Sequence, residues 1–181
     1  MSNAIDLQLQ LTITRFTQWL KDDVLHLKWL ILLLIFVMAV YLWWKIIDKT
    51  RLHEIILFAA IASMMILVMD EVGEELTLWD YPVDIFPLFP PISAIDLSAL
   101  PFLYAAIYQY FSQWKGYIIA SIIMSLSSCF VFEPIFVWTG IYQMITWKSY
   151  YGLPLYFAIG IISRLILTFI KSVSRKRNPA M

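Results

Sequence analysis

The stretch WLILLLIFVMAVYLWWKII, Trp29 to Ile47, decides the class of this protein. It runs nineteen residues with a single charge, Lys45, near its end. A helix of that length rises about 28 Å at 1.5 Å per residue, close to the roughly 30 Å of a hydrocarbon layer. Trp29 at one end, and Trp43 and Trp44 near the other, stand where interfacial anchors belong. The rest of the chain fits a membrane protein: 61% of its 181 residues are hydrophobic and 14% charged, too apolar for an ordinary soluble domain.

Further apolar runs follow. Ile55–Met69 is only fifteen residues long, so its helix must continue past Asp70 or sit in a thinned layer. Ser98–Trp114, Tyr117–Trp138 and Leu153–Ile170 read as a third, fourth and fifth helix, with Gly116 and Gly152 marking the joins. The expected fold is all-α, an integral membrane helical bundle of about five transmembrane helices in one domain, residues 29–170. Residues 1–28 form an amphipathic interfacial segment, because Leu9, Ile13, Phe16, Leu20, Val24 and Leu27 recur at helical spacing. A competing alternation over Leu7, Leu9, Leu11 and Ile13 suits a strand, but it is shorter. No small-residue cleavage site follows the first apolar run, so that span is expected to stay as an anchor.

Basic residues set the orientation. With five spans, Lys45, Lys49, Arg51, Lys115 and the tail's Lys171, Arg175, Lys176 and Arg177 share one side; Arg15, Lys21, Lys28 and Lys148 take the other. The larger set assigns the carboxyl terminus, with its basic tail 171–181, to the cytoplasm. Residues 70–97 then form an external loop, rich in proline and acid. Prolines 82, 87, 90 and 91 exclude a continuous helix there. Ile85, Phe86, Leu88, Phe89 and Ile92 imply that the loop folds back onto the helix ends. Ser98 is placed to cap the third helix, with Pro101 in its first turn.

Within this frame the polar residues become informative. Asp70 and Glu74, like Glu71 and Glu75, are four apart and become neighbours if the second helix continues, which makes them candidate cation ligands. A solvated outer rim is the plainer reading of these acids and of Asp80, Asp84 and Asp96. Glu133 lies about 7 Å inside the outer end of span four, and an acid inside a span is a functional candidate. It continues a small and polar stripe, Ser121, Ser125 and Cys129, suited to close helix contact. Arg164 lies about 10 Å from the other end of span five, where its side chain is expected to reach the cytoplasmic interface. Pairing Arg164 with Glu133 would leave roughly 12 Å to bridge. Asp96 precedes the third helix as a third intramembrane candidate. Trp138, Tyr142, Trp147, Tyr150 and Tyr151 read as an interfacial belt before a ligand cage.

The sequence offers no nucleophile with a base, no phosphate loop and no paired metal ligands, which points away from an enzyme and calls for no cofactor. A net charge of zero implies no nucleic-acid partner. The lone Cys129 excludes an internal disulfide.

The motifs Trp79-Asp80-Tyr81-Pro82, Leu100-Pro101, Tyr108-Gln109-Tyr110-Phe111, Trp114-Lys115, Phe132-Glu133-Pro134, Tyr142 and Trp147 cover roughly the last hundred residues. In these the chain resembles an uncharacterised family of small multispan membrane proteins of endospore-forming bacteria. The resemblance implies a bacterial cell membrane and supplies no activity. Two functional expectations follow from the residues. One is a non-enzymatic subunit or scaffold that meets a protein partner, or a second copy in a homo-oligomer, through the span-four stripe and the external loop. The other is a small proton- or cation-coupled transporter or channel component using Glu133.

Overall fold

The structure, a computed structural model, describes residues 3–83, 85–86 and 99–177, with side chains as far as residue 174. These described residues are mostly helical, with one short pair of strands and short joins between the elements. Helix α1 (Asn3–Gln18) runs into a π turn at Trp19–Asp23 and ends at Val24. Helix is thus the form the amino-terminal segment takes, with Leu9, Ile13, Phe16 and Leu20 all exposed. Then follow α2 (Leu27–Ile46), α3 (Leu52–Glu75), α4 (Leu100–Tyr110), α5 (Trp114–Ser127), α6 (Glu133–Thr139) and α7 (Ser149–Arg177). A π turn at Ser128–Phe132 joins α5 and α6 into one rod, Trp114–Thr139.

Among the described residues four helical stretches are long and apolar enough to cross a membrane: Leu27–Ile46, Lys49–Glu75, Trp114–Thr139 and Ser149–Ser174. The second extends six residues beyond Met69, the continuation past Asp70 that its short apolar run called for, so Asp70–Glu75 belong to the helix and the loop assigned to residues 70–97 starts later. The expected third span is also shorter. Instead of Ser98–Trp114, α4 has 11 residues and rises about 16 Å, half a hydrocarbon layer. Pro101 stands in its first turn, as expected. Gly116 and Gly152 sit inside helices, not at joins. The join after α4 is made by Phe111 (ψ 79°) and the extended Gln113. Arg164 holds that turn, a contact from a distant helix that no local signal announces.

Helix ends gather into two sets. At one, Gln109 bonds the Ile46 carbonyl (3.1 Å) and the Asp48 amide (2.9 Å), and Lys171 of α7 reaches Glu54 of α3 (3.0 Å). At the other, β1 (Trp79–Asp80) pairs antiparallel with β2 (Gln143–Met144), Trp79 opposite Met144. The Trp29 indole donates to the Ile85 carbonyl there (3.2 Å). Val83 and Ile85 are buried, so this part of the loop folds back as expected, while Phe86 stays exposed.

The core runs between α3, α4, α5 and α7. Phe58 stacks on Tyr108 at 4.4 Å. The buried phenols of Tyr104 and Tyr117 donate to the Tyr156 and Gly160 carbonyls of α7, each at 2.6 Å. Inside a membrane such bonds matter because an apolar surround offers unpaired hydroxyls no water. Ser121, Ser125, Ser128 and Cys129 are buried, and α5 packs on α7. The small-residue stripe is therefore occupied within this chain.

Candidate functional site

The π turn has a covalent cause. Pro134 has no amide hydrogen, and its ring would crowd the carbonyl four residues back, so the helix widens in the preceding turn. Glu133 follows immediately, 6% exposed. Its Oε1 accepts from Tyr156 Oη of α7 at 2.9 Å, and the Ser149 hydroxyl lies close by. Oε2 is buried with no hydrogen-bond partner. Gly152 makes room: a Cβ there would sit 3.1 Å from Glu133 Oε1 and 3.3 Å from Cys129 Sγ.

A second buried acid stands across the cavity. Asp70, 7% exposed on α3, accepts from Trp79 Nε1 (3.0 Å) and Tyr81 Oη (2.8 Å). The strand pair brings both rings back over α3. Gly73 is required for this, since any Cβ at that position would run into the Trp79 indole. Among the described residues neither Asp70 nor Glu133 has an ion-pair partner.

Both acids line a cavity of about 60 Å³, walled by Trp79, Tyr81, Tyr142, Trp147 and Tyr156. That volume holds several water molecules. A second cavity of about 140 Å³ shares Tyr81, Leu100, Glu133, Tyr142 and Tyr156, and continues among Leu103, Phe132 and Phe136. The expected aromatic belt thus divides. Tyr142 and Trp147 face the cavity, whereas Trp138 is 86% exposed and Tyr150 and Tyr151 are on the surface. Trp79, Tyr81 and Tyr156 were not legible as site residues, because only the strand pairing and the α5–α7 contact bring them here.

The remaining sequence candidates fall elsewhere. Arg164 donates to the Phe111 carbonyl at 3.0 Å and to that of Ser112, with Tyr117 and Trp114 rings 4.3 and 4.5 Å from its guanidinium carbon. It is 6% exposed and belongs to the opposite end, so it does not pair with Glu133. Asp70, Glu71, Glu74 and Glu75 lie along the last turns of α3, and among the described residues no three potential ligands converge on a metal position. Asp96 and Asp84 lie outside the described residues. Glu54, a site residue with no local signal in the sequence, bonds Arg51 (2.8 Å), Lys171 (3.0 Å) and Tyr108 at the basic end.

No protein-family model, curated protein or solved structure matches the chain.

Proposed function

We propose that this chain is a multi-pass protein of a bacterial cell membrane that works through the Glu133–Asp70 cavity, as a small proton- or cation-coupled carrier or channel component. The observation that carries the reading is the buried Glu133 carboxylate, whose Oε2 has no partner and which lines both cavities. An uncompensated acid within a span is costly, and its usual return is a proton, an ion or a ligand. In this reading the chain makes five passes, the third completed by α4, whose end at Gln109 lies opposite the Trp29–Ile85 contact. Lys45, Lys49, Arg51, Lys115 and Lys171 then face the cytoplasm, with the carboxyl terminus on that side.

A subunit or scaffold role is the second reading. It is favoured by α2, of which 6% is buried against 28–33% for the other three long helices, so most of its surface is open to lipid or a partner. Purified protein in liposomes separates the two. Proton or potassium flux that vanishes in Glu133→Gln is the expected result. A silent unmutated protein, or undiminished flux in the variant, would remove the carrier reading. Loss of a crosslinked neighbour in native membranes on the same substitution would favour the subunit.

A further inference from the structure

The geometry points to a ligand class for this site: a small organic ammonium ion carrying an apolar group of about benzene size, admitted sideways from the bilayer. The inference rests on the reading of Glu133 as a cation site and goes on to its chemistry. Glu133 is not merely acidic. Its side chain is 6% exposed, Oε2 has no partner, and it stands on the wall common to both cavities. Asp70 supplies a second carboxylate in the smaller one.

Three observations narrow the cation. A divalent metal takes six to eight oxygens as calcium, or a near-octahedral set as magnesium, and no three ligating side chains converge among the described residues. Indole and phenol rings make up much of the wall, a setting that attracts organic ammonium groups. The larger cavity is mostly apolar, its polar groups beyond Glu133 being the Ser128 hydroxyl and the tyrosine phenols, and its volume of about 140 Å³ is near the roughly 150 Å³ that admits benzene in an apolar protein interior. Leu103 and Phe132, both on its wall, are each 40% exposed on the apolar flank of the helices. An amphiphilic amine dissolved in lipid meets that flank first, so its ring fits between Leu103, Phe132 and Phe136 while its ammonium faces Glu133.

The test is equilibrium binding of radiolabelled 2-phenylethylammonium to the full chain in phosphatidylcholine nanodiscs, with empty discs subtracted. Saturable binding is expected, weakened about tenfold or more in Glu133→Gln, as loss of a charged partner implies, and less in Glu133→Asp. Phe136→Ala should weaken phenylethylammonium several-fold and leave methylammonium unchanged, a contrast that general unfolding would not give. Absence of saturable binding, unchanged affinity in Glu133→Gln, or equal competition by neutral 2-phenylethanol would overturn the ligand class. Glu133-dependent ion flux without amine binding would sink this inference and leave the carrier reading standing. Amine binding without flux would do the reverse.

Discussion

Glu133 and Glu54 are both acids within long helices, and their surroundings differ. Glu54 meets Arg51, Lys171 and Tyr108, so its charge is shared out at the basic end. Glu133 meets phenol and hydroxyl groups only, and one oxygen meets nothing. The first arrangement fastens α3 to α7; the second leaves capacity for a ligand. Sequence alone exposed Glu133, because it interrupts an apolar run. Glu54 escaped notice because its partner Lys171 comes from near the other end of the chain. Gly73 was equally silent, yet Gly73→Ala should push Trp79 off Asp70. The expected cost is roughly 1–3 kcal/mol of overpacking, read as a lower thermal midpoint in detergent with altered tryptophan emission. An unchanged midpoint and spectrum would mean that the indole does not lie over α3.

At the scale of elements, helix class was legible, since long apolar runs follow directly from the bilayer, whereas lengths and ends were not: α3 runs past Met69 and α4 has 11 residues where a full span was expected. The turn after α4 depends on Arg164, which fixes the carbonyls of Phe111 and Ser112 just beyond the helix end, where positive charge is favoured. Arg164→Ala should cost roughly 1.5–3 kcal/mol for each charge-assisted bond lost. Arg164→Lys should recover only part, because an ammonium lacks the planar fork. Chemical denaturation of the solubilised protein checks both. Asp48 makes a smaller contribution at the start of α3. The Thr50 hydroxyl and amide hold its carboxyl below the usual range. A depressed folded value means that stability is present above about pH 4, the ordinary range, and is lost as pH falls through the lower folded value. Asp48→Asn should flatten that acid limb of a midpoint-against-pH curve; an unaltered limb would assign it to other groups.

Across the whole molecule, the two ends differ in chemistry. One gathers Arg51, Lys171 and Arg164; the other carries the strand pair above Asp70 and Glu133. That division was readable in outline from the spacing of lysine and arginine. The cavity was not, because it needs the chain to return from β1 to β2 and α7 to lie along α5. Among the described residues four helices have full spanning length, and the proposed architecture adds a fifth pass that α4 completes. The number of passes has one direct consequence: an odd number separates the chain ends. Reporter fusions at the two termini, read for compartment in intact cells, test this most directly. The proposed architecture predicts an external amino terminus and a cytoplasmic carboxyl terminus; both reporters in one compartment would contradict it.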